Sequence, residues 1–112
     1  MIDAAAISEI VATYKKHDWI PRRVLLSPSL RSRLGEGSFD VFGGVPIIDS
    51  DIDGVWFSRP PKQGGVAWEL RHLSDTPFAL LERVDESSGD FEDRLQAVES
   101  RLREAVRDRK PA

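Results

Sequence analysis

Cysteine is absent from this chain of 112 residues. Its absence excludes disulfide bonds, thiolate metal sites and a cysteine nucleophile. No apolar run approaches the ~18 residues that a membrane span needs, and the first four residues carry no basic region leading into an apolar stretch. We therefore predict no contact with a membrane and no secretory signal. Together these absences favour a cytoplasmic location.

The chain also lacks a basic surplus, with 16 Lys and Arg residues against 19 Asp and Glu residues. The net charge is −3 and the isoelectric point is near 5.4, whereas a nucleic-acid-binding domain normally shows a basic surplus. The charge is unevenly spread: residues 1–34 hold six basic and three acidic residues, and residues 35–58 hold five acidic and no basic ones. The composition therefore argues against nucleic acid as a partner. The alternative is a local basic patch formed by Arg22, Arg23, Arg31 and Arg33, with Trp19 available to stack on a base.

What remains is an ordinary globular composition, with 40% hydrophobic and 31% charged residues. The length suits one domain, spanning residues 1–112, with a single modest core. Runs of β-branched and aromatic residues, separated by Asp, Gly and Pro clusters, predict a meander of four strands at residues 45–48, 55–58, 66–73 and 78–84. A short apolar run at residues 24–26 predicts one further strand.

Helices are predicted on both sides of these strands. Apolar residues at helical spacing predict a first helix over residues 3–17, with Asp3 as its cap. Ser27 and Pro28 predict a short second helix that ends at Gly35. A long helix is predicted from Asp90 onward, because acidic residues begin it and basic residues end it. The fold class is therefore α+β, with an antiparallel or mixed sheet of four to five strands and three helices.

One acidic turn has the composition of a site. Asp49, Asp51 and Asp53 precede Gly54, which matches the first half of the EF-hand calcium loop. The second half of that pattern is missing, because its twelfth position, which requires a bidentate Glu, is Pro60. The alternatives are a solvated turn, in which Asp and Gly serve the backbone, and a divalent-cation site made by the three carboxylates.

Residues 47–55 of the same stretch also resemble the nucleophile motif of haloacid-dehalogenase-type phosphatases, an apolar strand followed by Asp-x-Asp-Gly-Val. That resemblance implies an attacking Asp51, an acid/base Asp53, Mg²⁺ and a parallel sheet with crossover helices. The residues that follow predict hairpins instead, so the chain is not assigned to this family and no cofactor is predicted. An enzyme centred on the turn remains the alternative function.

The leading functional hypothesis is protein–protein association, with homodimerisation as its first form. The long C-terminal helix carries a heptad-like apolar stripe, whose predicted interface residues are Phe91, Leu95, Val98 and Leu102. The stripe either packs on the sheet of its own chain or pairs with the same helix of a second copy. The basic and acidic segments, at residues 1–34 and 35–58, are complementary in charge and could face one another between subunits.

Overall fold

The computed structural model describes residues 2–35, 40–59, 66–74 and 78–108. Within these residues the elements, in chain order, are α1 (Ala4–Lys16), β1 (Ile20–Leu26), α2 (Pro28–Leu34), β2 (Ile47–Asp49), β3 (Gly54–Arg59), β4 (Val66–His72), β5 (Ala79–Val84) and α3 (Phe91–Asp108). The predicted α+β class and the three predicted helices are confirmed. The five strands form one mixed sheet in the order β2-β1-β3-β4-β5.

The position of β1 is the main departure from the predicted meander. β1 lies between β2 and β3, parallel to β2 and antiparallel to β3. Only β3, β4 and β5 follow one another as a meander. The reason is that a parallel pair requires a crossover connection, and α2 lies in the crossover that returns the chain beside β1. A local pattern of apolar residues cannot distinguish that return from a hairpin.

β1 is also longer than predicted, because it begins at Ile20 rather than at Val24. Pro21 lies within the strand, at an irregularity in its register with β3. β2 pairs with β1 only from Val24 onward, so the first half of β1 has no second neighbour among the described strands. Proline is tolerated at such an edge because no ladder hydrogen bond is lost there.

The sheet carries a core on each face, and β3 divides its side chains between them. We call the two faces the α1 side and the α3 side. Val55 and Phe57 point to the α1 side and pack with α1 and α2, whereas Trp56 points to the α3 side and packs with α3. All three side chains are fully buried. This accounts for the lack of a clean apolar–polar alternation in the sequence, since a strand covered on both faces is apolar throughout.

The predicted caps of α1 and α2 are confirmed. The Asp3 carboxylate accepts a hydrogen bond from the Ala6 backbone N–H at 2.8 Å, and the Ser27 hydroxyl accepts one from the Leu30 N–H at 3.2 Å. Gly35 ends α2 with a positive φ of 74°, a conformation that a residue with a β-carbon adopts only at a cost. These local signals fix where α1 and α2 begin and where α2 ends.

Candidate functional site

The acidic turn does not gather its carboxylates. Asp49 forms an ion pair with Arg31 at 3.0 Å, and Asp51 forms a two-bond pair with Arg103 of α3, at 2.6 and 2.8 Å. Within the described ranges, no cluster of three or more His, Asp or Glu side chains is arranged to hold a metal ion. The predicted cation site therefore has no support in the geometry, because each carboxylate faces a partner of its own.

Asp53 has a structural role in the same turn. Its carboxylate accepts hydrogen bonds from the Ser27 backbone N–H at 2.6 Å and from the Ser27 hydroxyl at 3.1 Å. The Asp53 carbonyl in turn accepts from the Leu73 N–H at 3.0 Å. Asp53 thus joins the start of α2 to the end of β4. Of the three aspartates, Asp53 is the one whose carboxylate is described as accepting a backbone hydrogen bond from a distant part of the chain.

Arg103 affects the ionisation of its partner in the turn. Its hydrogen bonds hold the pKa of the Asp51 carboxyl below its usual value, because they favour the charged form. The Asp51 side chain is nevertheless 64% exposed. Exposed ion pairs of this kind contribute little to stability, so the pair positions the turn against α3 without strengthening the fold much.

The four arginines of the predicted nucleic-acid patch lie on two elements and have partners within the chain. Arg22 and Arg23 on β1 stand over the Trp68 ring, at 5.3 and 6.0 Å from its centroid. Arg23 also pairs with Glu92 through two hydrogen bonds, one of them 2.9 Å long. A phosphate backbone would have to compete with these contacts.

The remaining two members, on α2, are engaged as well. Arg31 pairs with Asp49, and Arg33 donates to the backbone carbonyl of Ile2. Nucleic-acid binding stays a prediction, and the geometry does not strengthen it.

The apolar stripe of α3 packs on the sheet of its own chain. Leu95, Val98 and Leu102 are at most 1% exposed, and they join the core of the α3 side. Phe91 contacts the Trp68 ring edge to face, with the ring centroids 5.1 Å apart. Of the two alternatives left open by the sequence, the structure shows the intramolecular one. A homodimer would therefore need a different surface.

The last strand, β5, offers such a surface. Among the described strands it pairs with β4 alone. The His72 N–H donates to the Phe78 carbonyl at 2.9 Å, and the antiparallel alternation that follows turns the N–H and C=O groups of Ala79, Leu81 and Arg83 away from β4. Leu81, at the centre of this edge, is 53% exposed. A row of outward backbone groups beside an exposed leucine is suited to pairing with another strand.

The opposite edge of the sheet is protected. β2 is three residues long and ends at Asp49, whose side chain is 84% exposed. Short strands and charged residues are common means of blocking unwanted edge pairing. β5 has twice the length of β2. Its one described obstacle is Arg94 of α3, whose guanidinium donates to the Arg83 carbonyl at 3.3 Å.

A crevice lies between α1 and β4 on the α1 side of the sheet. It has a volume of about 360 Å³ and is lined by Ala6, Glu9, Ile10, Thr13, Tyr14, Arg71 and Ser74. It exists because α1 packs over β1 and β3 and leaves β5 uncovered on this side, where Ala79 and Leu81 are exposed. Its volume falls in the range of small-molecule sites.

Tyr14 is one of the residues that line the crevice. Its ring stacks on Phe57 with the centroids 4.0 Å apart, and its hydroxyl donates a hydrogen bond to the Glu69 carboxylate. The partner of Glu69 is thus a helix residue 55 positions earlier in the chain. Burial, followed by the hydrogen bond to Glu69, raises the pKa of Tyr14 above its usual value.

This arrangement makes the alkaline titration of the folded protein predictable. Tyr14 is the chain's single tyrosine, so the ultraviolet absorbance of tyrosinate reports on it alone. We expect a midpoint clearly above the ~10 of an unperturbed tyrosine, and an ordinary midpoint in denaturant. The folded state keeps the proton where the unfolded state loses it. Stability should therefore fall as the pH rises above the unfolded pKa, until the folded pKa is passed.

Tyr14→Phe is the control for this titration. It should remove the tyrosinate signal and flatten the alkaline fall in stability. Circular dichroism recorded in parallel separates ionisation of the folded protein from unfolding. A folded midpoint equal to that in denaturant would contradict the Tyr14–Glu69 hydrogen bond.

None of the helices in the described part of the chain has the length and apolar character that crossing a membrane requires. Comparison with family models gave no match, and neither a curated protein nor a solved structure matches the chain.

Proposed function

We propose that this protein acts through protein–protein association and that it forms a homodimer by pairing β5 with β5 of a second copy. The observation that carries the proposal is the outer edge of β5, where Leu81 is exposed at the centre of a six-residue strand. The proposal moves the predicted interface from α3 to the neighbouring strand. It also names a contact that can be tested one residue at a time.

The sequence of β5 suits pairing with itself. A two-fold axis through Leu81 places Leu81 opposite Leu81 of the second copy, and Ala79 opposite Arg83. The backbone N–H and C=O groups of these residues all point outward. In this register each of them therefore faces a hydrogen-bonding partner on the second copy. Two such edges can form about six backbone hydrogen bonds. The interface would be isologous, as in most homodimers.

Side chains favour the same register. Leu81 from each copy would meet on the α1 side, where each now faces water, and no pair of like charges lies directly opposite. The contact is small by the standards of stable complexes, so we expect a dissociation constant on the order of micromolar. Arg94 would have to share or release the Arg83 carbonyl, which lowers the affinity further.

Opposite charges introduced at Leu81 test the register of the proposed strand pair. Leu81→Lys and Leu81→Glu should each be monomeric in sedimentation at concentrations where the wild type is dimeric, because like charges directly opposite across a strand pair are destabilising. Mixed in equal amounts, the two variants should form a heterodimer, since the axis then joins Lys to Glu. Formation of a dimer by the mixture, but by neither variant alone, is expected only for this register.

Ile48→Lys is the matched control. Ile48 is 42% exposed on the opposite edge strand, so its replacement should leave the dimer intact. A monomeric wild type at high micromolar concentration would refute the proposed function. A dimer that survives Leu81→Lys, or dissociates with Ile48→Lys, would place the interface elsewhere. Failure of the mixture to associate would rule out the axis through Leu81.

A further inference from the structure

The crevice between α1 and β4 is a second candidate site, separate from the β5 edge. Its walls are opposite in charge, with Glu9 on α1 and Arg71 on β4, and its apolar surface comes from Ala6 and Ile10. Thr13 adds a hydroxyl group. Concave sites with an apolar body and a few polar groups are typical of small-molecule binding.

Arg71 shows no ion pair with a described carboxylate. Within the described residues, five arginines form an ion pair with a carboxylate, namely Arg22, Arg23, Arg31, Arg94 and Arg103. Arg71 is half-buried, yet its described contact is a hydrogen bond to the backbone carbonyl of His72. Guanidinium groups match carboxylates with two parallel hydrogen bonds. The Arg71 guanidinium can therefore still donate hydrogen bonds to the carboxylate of a bound ligand.

Glu9 provides the negative charge of the site. It is exposed on α1 and shows no ion pair or hydrogen bond to another described side chain. The second carboxylate near the crevice, Glu69, already accepts the Tyr14 hydroxyl. With Glu9, Glu69 and Arg71 together the crevice is slightly negative, so a simple anion is poorly matched, whereas a ligand with both charges is accommodated.

We propose that this crevice binds a small zwitterion with an apolar side chain, of the class of free apolar amino acids. Its carboxylate pairs with Arg71 and its ammonium group with Glu9. Its side chain lies on Ala6 and Ile10, which places apolar surface against apolar surface. Each of these contacts lies within one copy of the chain.

The test compares three probes of similar shape by amide chemical shifts in the folded protein. L-leucine carries both charges, isocaproate only the carboxylate and isoamylamine only the ammonium group. L-leucine should shift the amides of Ile10 and Thr13 and bind about tenfold or more tightly than either singly charged probe, because each loses a charge-assisted hydrogen bond.

Two variants assign the charges. Arg71→Gln should weaken L-leucine about tenfold and leave isoamylamine unchanged, whereas Glu9→Gln should weaken L-leucine and leave isocaproate unchanged. Lys16→Gln, on the same helix but outside the crevice, is the control for a change in net charge. Equal affinity of all three probes, or variants that act on all probes alike, would overturn the proposal.

The outcome is separable from that for the β5 edge. Leu81→Lys should bind L-leucine as the wild type does, because the crevice lies within one copy. A monomeric wild type that still binds L-leucine would refute the dimer alone, and a dimer that binds none of the probes would refute the crevice alone.

Discussion

Replacing Trp56 by alanine is expected to lower the free energy of unfolding by about 3–5 kcal/mol, the usual cost of truncating a buried Trp or Phe. The Trp56 side chain is 0% exposed on the central strand β3. Its ring meets that of Trp68 edge to face, with the centroids 6.0 Å apart. Its indole N–H donates to the Glu99 carboxylate of α3 at 2.9 Å. The substitution therefore removes both packing and the polar link between sheet and helix.

Thermal and denaturant unfolding of three variants checks this expectation. For a domain of this size, the midpoint of Trp56→Ala should fall by more than ~10 °C. Glu99→Gln keeps an oxygen that accepts from the indole and should cost under ~1 kcal/mol. Trp19→Ala is the matched control, because Trp19 is only partly buried, at the margin of the other core. A loss at Trp19 as large as that at Trp56 would contradict the assigned burial.

The three aspartates of the acidic turn are expected to differ sharply when each is replaced by alanine. Asp53→Ala should cost about 2–3 kcal/mol, because it removes two hydrogen bonds from Ser27 to a charged acceptor. Asp51→Ala should cost no more than about 1 kcal/mol, the usual range for an exposed ion pair. Asp49→Ala should change stability by less than ~0.5 kcal/mol, as for most surface substitutions.

Asp53→Asn and added cations complete this series. Asparagine retains one acceptor oxygen, so it should recover part of the loss seen with alanine. Each protein is also melted with and without millimolar Mg²⁺ or Ca²⁺. A filled site at ~100 times its dissociation constant would add roughly 2.7 kcal/mol. A cation-dependent rise that disappears in Asp51→Ala would support the metal-site hypothesis, which the separate ion pairs of Asp49 and Asp51 do not favour.

The ion pairs of α3 could not be predicted from the neighbouring residues of the helix. The sequence predicts helical pairs between Asp90 and Arg94 and between Glu99 and Arg103. In the structure Arg94 turns to Glu82, at 3.5 Å, and Arg103 turns to Asp51. Pairs within an isolated helix are worth only a few tenths of a kcal/mol, so partners brought near by packing on the sheet readily replace them.

The candidate surfaces could be predicted only in part. The sequence predicted the strand that contains Leu81, and the structure shows that Ala79, Leu81 and Arg83 are exposed on it. Nothing in the local pattern showed that β5 would be an edge strand. The crevice joins residues of α1 to residues of β4 that are about sixty positions apart in the chain, so no spacing within the sequence could reveal it.

The sequence by itself determined the class of fold and the caps of α1 and α2. These features depend on short-range signals: capping side chains, prolines, glycines and the spacing of apolar residues. Tertiary structure decided the insertion of β1 between β2 and β3, the separate partners of the three aspartates, and the open edge of β5. Each of these depends on which strands meet, and strand pairing is set by contacts between residues far apart in the chain.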